Sequence, residues 1–313
     1  MEQFFTVLNT TLLLCLLLIP GFLFKKLKLG EGTFGKGLSN FILYVAQPCL
    51  LISPYIRDFD RSVLINVGVT LGFSILFHGV GALTAVLIFR NRENLTDKVY
   101  KIAVIFGNCG YMGIPLIKYI FGDAATIYAT AYNIGFQFFL WTIGWYFASG
   151  DRKYMSVKKM FINPAMISIY IGILIFVLPI NSYIPQIFLD GMNLLKEMVI
   201  PLSMFLVGFH MAENSFLSFF KGGKMWLCVA LRLCVLPALS FCIMKLLLIL
   251  GLPLDKTVAT VCLIVSATPC ATVTSVLAEK FDLDREAAGK LLPLSTILCV
   301  ITLPLVSLLG ELL

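Results

Sequence analysis

Charge and histidine are what this 313-residue sequence has least of: Asp, Glu, Lys and Arg together make up 13%, and the histidines are two, His78 and His210. Two distant histidines leave metal or acid–base catalysis almost nothing to work with. No P-loop, HExxH run or Ser-His-Asp pattern with a nucleophile elbow occurs, so no enzyme is expected. CxxC pairs are missing as well, and the nine cysteines all fall inside apolar runs. That pattern excludes a disulfide framework and a zinc cluster, and leaves cysteine as a small packing residue. No acidic residue lies midway along an apolar run, since Asp97, Asp123, Glu197, Asp255, Glu279 and Glu286 all sit at run ends. A charge inside a membrane is costly and usually functional, so this absence disfavours a cation antiporter working on buried carboxylates.

What the sequence does have is apolar surface: 59% hydrophobic residues and a mean hydropathy of +0.94. Those values exclude an ordinary water-soluble domain. At roughly 20 residues per crossing, the chain has room for about ten spans and no separate soluble domain. Apolar stretches predict an all-α integral membrane protein with spans near 4–24, 34–54, 62–89, 99–121, 124–149, 161–180, 186–212, 224–250, 255–280 and 286–311. The first stretch is followed, not preceded, by Lys25-Lys26-Leu27-Lys28 and is too long for a signal peptide, so it reads as a retained helix.

Basic residues set the orientation. The loops after odd-numbered spans hold Lys25, Lys26, Lys28, Arg90, Arg92, Arg152, Lys153, Lys158, Lys159, Lys221, Lys280 and Arg285, against little more than Arg57, Arg61, Lys196 and Lys256 in the others. Short basic loops stay in the cytoplasm, which predicts a multi-pass cell-membrane protein with both termini outside and the 150–160 connector inside. The net charge of +7 is then a topology signal and no nucleic-acid partner is expected. Trp141, Trp145 and Trp226 fall at inner span ends, where interfacial anchors are expected.

Two stretches share a plan: DKVYKIAVIFGNCGYMGIPLIKYIFGD at 97–123 and DKTVATVCLIVSATPCATVTSVLAEKFDLD at 255–284. Each opens on Asp-Lys, runs apolar, breaks at small polar residues and proline, and resumes. Spans two and seven also carry matching prolines, Pro48 and Pro201. Five spans per half put the halves in opposite orientations, which predicts an inverted repeat of 1–149 and 161–313 joined by the 150–160 linker. Proline inside a span frees backbone groups that lipid cannot satisfy. The breaks lie at 107–115 and 266–272, and beyond each a half-helix starts with unpaired N–H groups at its positive end, a ready carboxylate site. Asn108, Gly110, Gly113 and Pro115 in the first break, and Thr268, Pro269 and Thr272 in the second, are the substrate-binding candidates. The bland alternative is a pair of merely kinked helices.

Gln47 near its proline, and Asn133 and Gln137 one helical turn apart, add polar candidates; interhelical hydrogen bonding explains them equally well. The intramembrane cations His78, Arg232 and Lys290 are candidates for coupling or gating. Each has a plainer reading: His78 satisfied by a neighbouring helix, Arg232 an internal tie to backbone carbonyls, Lys290 reaching the inner interface.

Asn108 with MGIPLIKYIFGDAA at 112–125, PLSMFLVGFHMA at 201–212, Arg232 with Pro237, and SATPCATVTSVLAEKFDLD at 266–284 are similar to the auxin efflux carrier family, along essentially the whole chain. That family includes plant PIN carriers and bacterial malate or malonate permease-like proteins. Their long plant-type central loop is missing here. The resemblance implies an elevator-type carrier, with spans 1, 2, 6 and 7 as scaffold and spans 3–5 and 8–10 as transport domain, broken spans four and nine crossing, and frequent homodimers. It also implies a carboxylate held near Pro115, Pro269 and Asn108, with Thr268 standing in span nine in place of a second asparagine. The expected function is secondary transport or uniport of small organic anions without a cofactor beyond a coupling proton or sodium. Anion sensing without transport, which expects an appended module or long charged tail, and cation/proton antiport are the alternatives.

Overall fold

The computed structural model describes residues 2–30, 32–178, 180–212, 222–252 and 255–313, and Lys221 of the basic loops lies outside the described residues. It is helical along its length, with seven helices among the described residues long and apolar enough to cross a membrane: Gln3–Lys26, Phe34–Tyr55, Arg61–Ile88, Arg152–Val177, Gln186–Met211, Gly223–Ile249 and Arg285–Leu312. Two further apolar helices, Cys109–Phe121 and Lys256–Ser266, are shorter. They belong to the two stretches in which breaks were expected. The remaining stretch, Asp123–Phe139 continued to Ser149, is helical too, but Asn133, Gln137 and several threonines lower its hydropathy.

The elements follow in order: α1 (Glu2–Leu16), α2 (Leu18–Lys26), α3 (Phe34–Phe41), α4 (Gln47–Ile52), α5 (Arg61–Ile88), α6 (Leu95–Ile105), α7 (Ile114–Phe121), α8 (Asp123–Phe139), α9 (Trp145–Ser149), α10 (Val157–Ile162), α11 (Pro164–Val177), α12 (Gln186–Met211), α13 (Gly223–Ala230), α14 (Leu236–Ile249), α15 (Lys256–Ser266), α16 (Val273–Lys280) and α17 (Arg285–Leu309). Wide π-type turns at Ile42–Ala46, Cys109–Gly113 and Leu231–Val235 immediately precede Pro48, Pro115 and Pro237. A wider turn accommodates the ring that would otherwise clash with the preceding turn, so these prolines bend helices at defined places. Pro201 behaves differently and sits inside an uninterrupted α12.

Several helix starts in loops are capped by side chains. Asp60 accepts from Ser62 N at 2.8 Å, Asn94 from Asp97 N at 2.9 Å, Asp255 from Thr257 N at 2.7 Å and Asp284 from Ala287 N at 2.9 Å. Each cap satisfies one of the orphan donors of a first turn.

Packing brings α2 and α4 against α12, α4 against α11, α5 against α8, α15 against α8, and α17 against α1. The α2–α12 crossing is set by two glycines. A Cβ on Gly21 would lie 1.9 Å from the Phe205 carbonyl oxygen, and one on Gly208 would lie 2.0 Å from that of Leu18. Small residues let backbones approach this closely where lipid supplies no hydrophobic drive for association. Gly208→Ala should therefore force α2 and α12 apart at a cost of about 1–3 kcal/mol. Thermal unfolding in detergent checks this, and an unchanged midpoint would show that the crossing is looser.

Candidate functional site

The two breaks meet. Asn108 N–H donates to the Pro269 carbonyl at 2.7 Å and Ala271 N–H to the Phe106 carbonyl at 2.9 Å, so Gly107 and Cys270 pair as an isolated antiparallel bridge. Two short extended pieces thus satisfy each other where no helix can, as backbone away from water must. Cys270 N–H also reaches Ser295 Oγ of α17 at 3.1 Å.

Four helix ends result, and their electrostatics separate. The carbonyls at the end of α6 and α15 carry the negative ends of those helices. Arg232, 1% exposed, lies among them: Nε donates to the Thr268 carbonyl at 2.9 Å, Nη2 to that of Ser266 at 2.8 Å and Nη1 to that of Val104 at 3.3 Å. Arg232 is therefore the internal tie to carbonyls, and no carboxylate pairs with it among the described residues. The opposite ends, where the Cys109–Gly113 turn leads into α7 and where α16 begins, have no side-chain cap: neither Asn108 nor Thr272 makes that hydrogen bond. Some first-turn N–H groups are satisfied locally, Met112 and Gly113 on the Asn108 carbonyl at 3.0 Å, Thr274 on that of Ala271 at 3.0 Å and Ser275 on that of Thr272 at 3.1 Å, which leaves the earliest ones, of Gly110, Tyr111 and Val273, without a backbone acceptor.

Those uncapped ends face a cavity of about 1270 Å³. Asn108, Gly110, Thr272, Gln47, Asn133 and Gln137 line it, together with Gly107, Tyr111, Ala271 and Val273. Its mouth is ringed by Lys158, Lys159, Lys280, Arg285, Glu279 and Glu286. Asn133 is 2% exposed; its Oδ1 accepts from the Cys109 thiol at 3.6 Å while its Nδ2 has no protein partner. Gln47, 6% exposed, likewise leaves Oε1 unpaired. Unpaired amides beside a cavity are costly unless something polar visits them.

Gly113, Pro115, Thr268 and Pro269 do not line the cavity. Thr268 is fully buried and turns its hydroxyl back to the Val265 carbonyl at 2.8 Å, and a Cβ on Gly113 would lie 3.4 Å from the Thr268 methyl, so both serve the crossing itself. Pro269 contributes through its carbonyl, and Pro115 sits in the first turn of α7. His78 is also outside the lining, with Nδ1 at 2.7 Å from the Ser74 carbonyl and its ring among Phe77, Phe106, Tyr132, Phe136 and Phe139. Lys290 pairs with Glu286 one turn away. Trp145 is no interfacial anchor: it is 7% exposed, stacks on Trp141 at 4.9 Å and carries Lys280 and Lys159 over its ring at 4.5 and 5.4 Å. Its neighbours from α10 and α16 cover it, which span position alone does not reveal.

A family model described as membrane transport protein matches residues 6–157 and 151–307. The chain belongs to the auxin efflux carrier family of membrane transport proteins. It is similar to an uncharacterized transporter of Methanocaldococcus jannaschii, 26% identical over 287 residues that cover 88% of this chain and 90% of that protein. For an auxin efflux carrier family member, a multi-pass helical membrane protein is the expected form, and the helices described above accord with it. Within that family frame, Tyr111, Trp141, Trp145 and His210 are cavity residues that the pattern of polar and small residues did not single out. Tyr111 lies within the first break, whereas Trp141, Trp145 and His210 carry no sequence signal beyond a position near a span end.

Proposed function

We propose that the protein carries small organic carboxylates by alternating access, with the anion held at the uncapped half-helix ends and Asn108. One observation carries this reading: Arg232 neutralises the negative helix ends, while the positive ends are left open on a water-accessible cavity. Aligned amides and a dipole end favour negative charge, and a carboxylate matches them without needing a buried counter-charge. Ten spans in a five-plus-five inverted repeat, with broken spans four and nine crossing, form the architecture we infer. In it, the helices of spans 1, 2, 6 and 7 are the scaffold and the rest move. The cavity mouth lies beside the 150–160 connector, where the basic loops gather, so this conformation faces the cytoplasm. Cation antiport is the weaker reading, because the carboxylates lining the cavity, Glu279 and Glu286, are at its mouth and exposed.

The test is flux in proteoliposomes across a panel of mono- and dicarboxylates. Asn108→Ala is expected to lower carboxylate flux at least about tenfold, the weight of one hydrogen bond to a charged group at roughly 1.5–3 kcal/mol. The unfolding midpoint should stay near the parent's, since Asn108 makes no side-chain cap. Unchanged flux would remove Asn108 from the site.

A further inference from the structure

At the end of the molecule away from the cavity mouth, four charged side chains interlock. Lys118 near the end of α7 reaches Glu197 of α12 at 2.5 Å, and Lys196 of α12 reaches Asp123 at the start of α8 at 3.5 Å. Lys118 is also 3.9 Å from Asp123, and Lys196 donates to Ser53 Oγ at 2.9 Å. We propose that these residues form a double ion-pair latch that holds the far end of the carrier shut and must part before the site can face the other side. The inference rests on the two-domain reading above.

Placement supports it. Lys280 at the end of α16 lines the cavity mouth. The two breaks pair in antiparallel fashion, so α7 runs from the crossing toward the opposite end. His210 of α12 lines the cavity, and Lys196 lies about 21 Å before it along the same helix at 1.5 Å per residue. Both ion pairs therefore sit beyond the cavity floor.

Polarity supports it too. Adjacent residues of α12, one cation and one anion, face an anion and a cation presented by the α7–α8 corner. Each pair crosses the boundary between an inferred scaffold helix and inferred transport-domain helices, with opposite signs. Sliding one group past the other breaks both pairs together and brings like charges closer, so the closed register is selected by repulsion as well as attraction. The cations are mostly buried, with side chains 14% and 8% exposed, whereas Asp123 and Glu197 are 58% and 61% exposed. Half-wet pairs are strong enough to bias two states and weak enough to open, and they respond to salt. A small second cavity of about 380 Å³, lined by Ser53, Pro54, Asp58, Asp123 and Ala124, already indents this end beside the latch.

The experiment needs no transported substrate. Gly110→Cys places a reporter thiol on the cavity wall, where a Cβ meets nothing closer than 3.6 Å. Its reaction with a membrane-impermeant thiol reagent is followed from either side of oriented vesicles, with the parent chain as background for the native cysteines. Mouth-side labelling should be the same in every variant, which also reports correct folding. Far-side labelling should be slow with the latch intact and rise about three- to tenfold in Lys118→Met or Glu197→Gln. Raising salt from about 0.1 to about 1 M shrinks the screening length from about 10 to 3 Å and should speed far-side labelling of the intact latch only. Exchanging the charges, Lys118→Glu with Glu197→Lys, should restore the slow rate. Equal far-side rates in all variants and at both salt levels would overturn the latch. Failure of the carboxylate reading is seen separately, as unchanged flux in Asn108→Ala.

Discussion

Arg232→Met is expected to abolish the folded carrier or leave it severely destabilised. Methionine fills much of the same space but donates nothing, so the carbonyls of Val104, Ser266 and Thr268 lose the partner that now holds them at 2.8 to 3.3 Å. Each orphaned carbonyl in a dry interior costs about 1–3 kcal/mol, and the sum approaches the whole stability of an ordinary domain. The negative ends of α6 and α15 would also face each other without the intervening cation. Yield of monodisperse protein and its thermal midpoint in detergent measure the effect. Arg232→Lys should be intermediate, because an ammonium keeps the charge but cannot reach three carbonyls in the plane of a guanidinium fork. A stable, monodisperse Arg232→Met protein would show that the crossing holds itself, and would return Arg232 to the candidates for coupling or gating.

Much of this arrangement could be read before any coordinates. The helical stretches were legible because lipid demands long apolar runs, whereas the caps at Asp60, Asn94, Asp255 and Asp284 emerged only with the structure. Both breaks were legible as clusters of glycine, proline and small polar residues in otherwise apolar helices. What stayed hidden was direction. Thr268 and Thr272 are chemically alike and four residues apart, yet the first is buried against Val265 while the second lines the cavity. Only the crossing decides which side of the broken backbone meets solvent. Arg232 posed the same difficulty, since a lone intramembrane cation suits a carboxylate ligand as well as a ring of carbonyls. The Lys118–Glu197 pair was out of reach because its members stand far apart in sequence, and because Glu197, read as lying at a run end, sits well inside α12, where the structure places it beside the end of α7.

Gly107→Ala should be nearly as damaging as losing Arg232, and for a related reason. A Cβ at this position would lie 1.9 Å from Nη2 of Arg232, 2.6 Å from its Cζ and 2.7 Å from the Thr268 hydroxyl. An arginine tip is ordinarily free to swing aside, but this one is held by three carbonyls and the Phe77 ring face 6.0 Å away, so the added methyl must break hydrogen bonds or part the Gly107–Cys270 bridge. Overpacking a rigid interior commonly costs about 1–3 kcal/mol, and losing even one carbonyl contact here adds a similar amount. The two substitutions should then fail to add. In the double variant Gly107→Ala with Arg232→Met, the group that the methyl strikes has gone, so the second change costs less than it does alone, by about 0.5–3 kcal/mol in a double-mutant cycle on the unfolding midpoint. Simple additivity would mean that Gly107 is required for the bridge and not for the seat of the arginine, and Arg232→Lys with Gly107→Ala would separate those two demands, because a lysine occupies less of the space beside the bridge.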